Sequence, residues 1–325
     1  EFVNKRGSVV MLGSVLVTGG AGFIGSQLIK RILPISQHIY VIDDLSTGQR
    51  EAIPDSDKIT FIEDSITNPQ VLEDTMPKVE YIFHLACSNI IKSVYDLELD
   101  INTNLIGGFL MLKNAHKFCR KLKRFIYSST TSVYGSADYL PTTEEYYNIE
   151  LPYAASKFST EHYCSVYYKM YKLPVTILRL SNVYGPGQTS LNPYCGVVAK
   201  FFEAIENNRP QIIYGNGKQT RDFTFIEDAL EAFILAAVND KAIGKCYNVG
   251  TGTETAILNI AGKIKEITGR TDSLIEFRQM RPIDTVKRRS IDSTKIQREL
   301  NWRINNSLSE GLSKTYQWLK EDSNR

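Results

Sequence analysis

No two of the five cysteines (Cys87, Cys119, Cys164, Cys195, Cys246) form a Cys-x-x-Cys pair, and the four histidines (His38, His84, His116, His162) show no metal-ligand spacing. Neither a disulfide framework nor a structural metal is expected, and scattered thiols of odd number point to a reducing, cytoplasmic setting. An excess of either charge is missing too: the net charge is +2 at neutral pH. No polyanion partner such as nucleic acid is implied by it. The one basic cluster, Lys117–Arg124, precedes an apolar run and reads as a solvated helix end. No apolar run approaches the roughly 18 residues of a membrane span. Internal repeats and low-complexity tracts do not occur. The first residues, Glu1–Gly7, lack a Met start and read partly as an added leader, with Met11 as the native start. One sequon, Asn305-Asn306-Ser307, stands without any other sign of secretion.

What is present is an ordinary globular composition, 42% hydrophobic and 23% charged over 325 residues. That length accommodates one large domain or two smaller ones around a sizeable core. Strand-like apolar runs at 14–18, 38–42, 59–63, 80–86, 124–129 and 175–181 alternate with helical patterns, including 102–118 and 153–171. Such alternation predicts an α/β fold, a Rossmann-type doubly wound parallel sheet. After residue 182 the pattern changes. Gly-Pro-Gly-Gln at 185–188 and Gly-Asn-Gly-Lys at 215–218 bracket a helix at 195–207. Further helices are expected at 257–268, 293–300 and 307–319. The expected organisation is a nucleotide-binding domain at 1–181, to which 227–249 returns. A smaller, interleaved α/β substrate domain takes 182–226 and 250–325, with the ligand cleft between the two.

The chemistry-bearing motifs lie in the first part. Val15-Leu16-Val17-Thr18 runs into Gly19, Gly22 and Gly25, and the helical segment Phe23–Leu33 comes next, closed by Pro34. A strand, a glycine turn and a helix start make a pyrophosphate cradle, in which Phe23 and Ile24 offer first-turn amides. The next strand ends in Asp43 and Asp44, and Asp43 stands 18 residues after Gly25. A carboxylate there suits an adenosine ribose diol and repels a 2′-phosphate, which favours NAD over NADP. Tyr153 and Lys157 are four residues apart and share one helix face, with Pro152 suited to its first turn. An ammonium beside a phenol favours the phenolate, a useful general base. A hydroxyl cluster, Ser128–Ser132, ends the strand 124–129 at the sheet edge where ligands of such folds bind.

Thr18–Ser26, Ser129–Gly135 and Tyr153–Lys157, in this order, resemble the extended short-chain dehydrogenases, and among them the NAD-dependent nucleotide-sugar epimerases and dehydratases. The resemblance covers nearly the whole chain and includes Asp64, His84-Leu85-Ala86, Arg179–Gly187, Gln219–Thr224 and Arg281-Pro282. It implies that Asp64 sits by the adenine and Ala86 lines the cofactor channel. Tyr153 is then the base, Lys157 holds the nicotinamide ribose, and Thr130 is the hydroxyl partner. Asn182, Arg221 and Arg281 would hold the substrate pyrophosphate. It further implies a UDP-linked hexose or N-acetylhexosamine as partner. A homodimer is also implied, packed through the helix that carries Tyr153, on which the apolar or aromatic Tyr163, Val166, Tyr167 and Met170 fit either such an interface or core packing.

Relatives share oxidation at the sugar C4 and differ in the step after it. Dehydratases of this kind carry Asp and Glu after the threonine, where this chain has Thr131 and Ser132, and neither hydroxyl titrates near neutrality. Epimerisation at C4 is therefore expected. The alternatives are a dehydratase with an unusual acid, Cys87 or Glu144/Glu145, and a catalytically idle NAD-binding protein. The basic run Lys287-Arg288-Arg289 falls where relatives place a residue lining the sugar pocket. It either meets a uronate carboxylate or an N-acetyl oxygen there, or faces solvent.

Overall fold

The computed structural model describes residues 11–189, 192 and 196–322, so the residues before Met11, read from sequence partly as an added leader, and Cys195 lie outside the described residues. Seven strands, β1 Leu12–Thr18, β2 Ser36–Asp43, β3 Ile59–Glu63, β4 Tyr81–His84, β5 Arg124–Thr130, β6 Val175–Leu180 and β7 Lys245–Val249, make one sheet. Their order is β3-β2-β1-β4-β5-β6-β7 and the sheet is parallel. This is the α/β, Rossmann-type arrangement expected from the alternation of patterns. In β1, Val15, Leu16 and Val17 are wholly buried. Side chains pointing to opposite faces are all hidden only when helices cover both, and a continuous aliphatic run serves that position. The edge strand β3 has no buried residue.

The helix Phe23–Ile32 buries Leu28, Ile29 and Ile32, carries Lys30 and Arg31 in its last turn, and gives way to a turn containing Pro34. Those cations complement the carbonyl end of the helix dipole. The helix Pro152–Tyr171 starts at its proline and buries Ala154, Lys157, Thr160, Glu161, Cys164 and Tyr167. The spacing is that of a core-facing stripe. A lysine and a glutamate inside it are exceptional for a stripe of this kind.

One expected helix departs from its pattern. In place of regular α-helix over 102–118, Ile101–Gly107 is a π-helical turn and the α-helix runs Gly108–Phe118. Gly107 and Gly108 are poor helix formers. A Cβ on Gly108 would come within 2.6 Å of Thr160 Cγ2, so the two helices pack too closely for a larger residue. The wide turn leaves the Asn104 carbonyl to accept from the Thr160 hydroxyl at 2.9 Å. Asn104 itself accepts from Ser88 N at 2.8 Å and donates to Ser88 O at 3.1 Å and Asp100 Oδ1 at 2.6 Å. The loop after β4 is thereby fastened.

The chain forms two compact units. One holds the residues up to Ser129 with Pro152–Leu178 and Ala232–Cys246; the other holds Thr130–Leu151, Arg179–Glu231 and the chain from Tyr247 on. The segment 130–151, assigned from sequence to the nucleotide domain, groups with the second unit. That unit contains three two-stranded ladders: Asn182–Tyr184 with Phe223–Phe225, Thr220–Arg221 with Thr255–Ala256, and Gln211–Tyr214 with Ile275–Arg278. Phe201, Phe202, Phe225 and Trp302 fill its core. Within the basic cluster Lys117–Arg124, Arg124 differs from the solvated neighbours expected of a helix end. It is buried and pairs with Asp240 at 3.1 Å. Among the described residues no helix is long and apolar enough to cross a membrane.

Candidate active site

The sheet order reverses between β1 and β4, and in such folds the crevice beyond those two strand ends receives the ligand. Thr18 and His84 are register partners there. Thr18 Oγ1 lies 2.7 Å from His84 Nδ1 and accepts from Ala86 N at 3.3 Å. Burial, helped by the Lys157 ammonium, pushes His84 down to about 3, so the imidazole is neutral.

Gly19 follows Thr18 with φ +68°, and a Cβ there would stand 2.6 Å from Ala86 N. A Cβ on Gly25 would overlap the Gly19 carbonyl oxygen and lie 2.7 Å from Gly20 Cα. At Gly22 the situation differs: a Cβ would meet only Gly19 O, at 3.3 Å. The space in front of Gly22 is thus open. Gly22 is also the N-cap of the helix Phe23–Ile32 and supplies no side-chain acceptor. The amides of Phe23 and Ile24 therefore remain available to an anion, and the residues present fit a dinucleotide pyrophosphate.

Asp43 ends β2, accepting from Ala21 N at 2.8 Å through Oδ2 and from Leu45 N at 2.9 Å through Oδ1. Burial raises its pKa, and these two amides oppose the rise. Each oxygen keeps a lone pair for a diol. Asp44 is exposed and caps Ser46 N at 2.9 Å. Asp64 N donates to the Asp43 carbonyl at 3.2 Å, while the Asp64 carboxylate holds Ser65 N and Asn68 Nδ2. The first unit thus brings Gly19, Gly22, Phe23, Ile24, Gly25, Asp43, Asp64 and Ala86 to one end of the sheet.

Tyr153 is half-buried in the first turn of its helix, whereas Lys157 is 2% exposed. Lys157 Nζ sits 4.4 Å above the centre of the Tyr127 ring. Burial lowers the Lys157 pKa, partly offset by Cys87, Glu161, Cys164 and Asp100. One further residue belongs to this group and went unnoticed in the sequence, and its partner is Ser129 of the hydroxyl cluster. Glu161 is buried one turn beyond Lys157 and accepts a 2.5 Å hydrogen bond from the hydroxyl of Ser129, near the end of β5. The signal for Glu161 was present, a third member at the four-residue spacing after Tyr153 and Lys157. Cys87 is exposed. Thr130 belongs to the second unit, where its Oγ1 accepts from Ser132 N and donates to Ser132 Oγ, both at 3.1 Å.

In the second unit Arg221 donates through Nη1 to Thr220 O at 2.8 Å and Val286 O at 3.0 Å. Burial lowers its pKa, Asp284 opposes that shift, and Arg281 adds to it. Arg281 forms a two-pronged pair with Asp284, both contacts 2.8 Å, and stacks 4.4 Å from the Tyr214 ring centre. Asn182 is exposed and pairs in register with Phe223, two residues from Arg221. The basic run divides. Arg288 is exposed and paired with Glu254, while Arg289 is buried. Glu144 accepts from Asn248 N at 2.9 Å, and burial raises its pKa; Glu145 is held below the usual carboxylate range by its own amide and Thr143. Glu144 is therefore anchored to the backbone of β7.

The GDP-mannose 4,6 dehydratase family model matches residues 16–315. The chain is 36% identical to a UDP-glucose 4-epimerase of Mycolicibacterium smegmatis, covering 95% of this chain and 99% of that one. Among solved structures, the UDP-glucose 4-epimerase of Thermotoga maritima, crystallised with UDP-glucose, superposes with a TM-score of 0.89. It shares 34% identity over 95% of this chain and 99% of its own. The UDP-glucuronic acid 4-epimerase of Bacillus cereus, in complex with UDP-glucuronic acid and NAD, gives 0.84 at 30% identity over 95% and 99%. With the glycine cradle, the Tyr153 and Lys157 helix and the match over almost its entire length, the chain belongs to the GDP-mannose 4,6 dehydratase family, the nucleotide-sugar epimerases and dehydratases of the extended short-chain dehydrogenase type.

Proposed function

We propose that the protein is an NAD-dependent nucleotide-sugar 4-epimerase. It acts on a UDP-linked hexose or N-acetylhexosamine through a transient 4-keto sugar. The observation that carries this reading is the pairing of Tyr153 and Lys157 on the buried helix with Thr131 and Ser132 after Thr130. The chain has a base for C4 and, at the positions following its threonine, no acid for elimination. The epimerase names of its relatives support the same choice.

NAD would rest on Gly19, Gly22, Phe23, Ile24 and Gly25, with Asp43 and Asp44 at the adenosine ribose, Asp64 at the adenine and Ala86 along the nicotinamide side. When bound, it supplies a hydride acceptor and donor for C4. Tyr153 takes the C4-hydroxyl proton and later returns it. Lys157, buried and with its pKa lowered by that burial, favours the phenolate of Tyr153 through its ammonium and binds the nicotinamide ribose. Thr130 relays the proton by its hydroxyl. Arg221, Arg281 and Asn182 hold the substrate diphosphate, for which planar guanidinium forks are well shaped. Arg281 would exchange its Asp284 partner for phosphate oxygens.

Purified protein given UDP-glucose or UDP-N-acetylglucosamine tests the proposal. Formation of the C4 epimer without net NAD consumption is expected. Loss of a water's mass would instead mark a dehydratase, and absence of turnover a binding protein. Tyr153→Phe should lower turnover at least about 100-fold while NAD stays bound; undiminished activity would refute Tyr153 as the base.

The enzyme is further proposed to be a cytoplasmic homodimer. Tyr163, Val166 and Met170 are exposed on the Pro152–Tyr171 helix and offer an apolar face. Tyr167, grouped with them in the sequence, is buried in the core of the first unit.

A further inference from the structure

We propose that Arg289 is the receptor for a carboxylate on the sugar, and that the preferred substrate is a nucleotide-linked hexuronate rather than a neutral hexose. This rests on the epimerase reading and narrows its substrate.

Arg289 is 7% exposed; its guanidinium donates from Nη2 to Gly135 O at 2.8 Å, and its amide donates to Thr220 Oγ1 at 3.2 Å. Gly135 closes the hydroxyl-bearing turn that begins at Thr130, with φ +46°. The guanidinium therefore lies against the segment that carries Thr130, Thr131 and Ser132. A backbone carbonyl occupies one of its five N–H donors. Among the described residues no carboxylate forms an ion pair with it. Glu150, whose charge reaches it, is committed elsewhere: Oε1 accepts from Ser136 N at 3.0 Å and Asn148 Nδ2 at 3.0 Å, and Oε2 from the Ser136 hydroxyl at 3.3 Å.

Its surroundings are also adverse to a cation. Burial first, and then the neighbouring Arg221 guanidinium, push Arg289 down to about 9. Arg288, one residue earlier, shows the opposite: its Glu254 partner raises its pKa. A buried charge that no acid pairs with directly is costly. Adding a second guanidinium within reach makes it costlier, and capping a glycine carbonyl needs only a neutral donor. Arg289 is buried and Arg221 half-buried, and among the described residues neither forms an ion pair, Asp284 being taken by Arg281; a ligand bearing two separate anionic groups answers both. A nucleotide hexuronate carries a diphosphate and a carboxylate. Arg221 and Arg281 suit the first, which leaves the planar fork of Arg289 for the second.

The test uses the full-length, NAD-loaded enzyme with UDP-glucuronate, UDP-glucose and UDP. Calorimetric titration of the wild type should show tighter binding of UDP-glucuronate than of UDP-glucose by about 10-fold or more. Equal or reversed affinities overturn the proposal, and this arm needs neither turnover nor a variant. Arg289→Met should cut the UDP-glucuronate to UDP-glucose ratio of kcat/KM, or of affinity, by roughly 30–100-fold, and Arg289→Lys should restore part of it. An unchanged ratio overturns the assignment. So does a loss shared equally by UDP, which would place the guanidinium on the diphosphate. If UDP-glucuronate binds selectively but neither sugar is epimerised, the receptor stands and the epimerase reading falls.

Discussion

Replacing Gly25 and Gly22 in turn by alanine separates the packing of the glycine loop from its proposed use as a cradle. On intrinsic helix propensity alone, Gly25→Ala should stabilise the Phe23–Ile32 helix by about 1 kcal/mol. The structure dictates the reverse. The new methyl would overlap the Gly19 carbonyl oxygen and stand 2.7 Å from Gly20 Cα. Both are backbone atoms and cannot rotate aside, so the loop must move by on the order of 1 Å. Overpacking of this sort costs about 1–3 kcal/mol, or a fall in Tm of roughly 2–4 °C per kcal/mol in a chain of this size. The moved loop also carries the amides meant for the pyrophosphate. Charge-assisted bonds of about 1.5–3 kcal/mol are at risk, which is roughly 10–100-fold in NAD affinity. Gly22→Ala meets only Gly19 O at 3.3 Å. Its Tm should stay within about 1 °C, yet its methyl enters the open space where the ligand is proposed to sit, and NAD binding should weaken. Thermal unfolding without NAD, together with NAD titration by protein fluorescence, reads both quantities. A Gly25→Ala variant as stable and as NAD-competent as the wild type would refute the packing argument. A Gly22→Ala variant that binds NAD normally would remove the pyrophosphate from this loop.

Lys157→Met should lower turnover by about 100-fold or more and move the rising limb of the kcat/KM pH profile upward, because the phenolate of Tyr153 loses its neighbouring cation; a profile at its original position would exclude that role. His84 stays neutral in the fold down to about pH 3, whereas the unfolded chain takes up that proton below about pH 6.5. Its contribution to stability is therefore present above pH 6.5 and declines by about 1 kcal/mol per pH unit as the pH falls toward 3. His84→Gln should flatten the acid limb of a urea-unfolding series between pH 6.5 and 4.5, and an unaltered slope would contradict the burial argument. Met170→Asp should shift the sedimentation coefficient from dimer toward monomer, and a wild type already monomeric at micromolar concentration would remove the proposed interface.

The sheet was legible because its inner strands are buried on both faces and must be largely apolar, as Val15–Val17 and Phe125–Tyr127 are. The glycine triplet announced its turn for a similar reason: only glycine clears the backbone at positions 19 and 25. Tyr153 and Lys157 shared a face by helical period alone. Partners that depend on distant residues were not legible. Glu161 looks like one more charged helix residue until Ser129 on β5 is seen to donate to it. The regular pattern over 102–118 hid a π turn, since the contact with Thr160 that accompanies it is not local.

What the sequence by itself determined was therefore whatever a local repeat or a steric minimum enforces: the parallel sheet, the cradle, and a tyrosine and lysine on one helix face. What only the tertiary structure decided was which charges lose their water. Arg288 and Arg289 are neighbours of identical chemistry, yet one is exposed beside Glu254 and the other is buried against Gly135. Lys157 is buried where Lys169, on the same helix, is exposed. Desolvation depends on everything that packs around a group, and the chain segments that do so are far away in sequence.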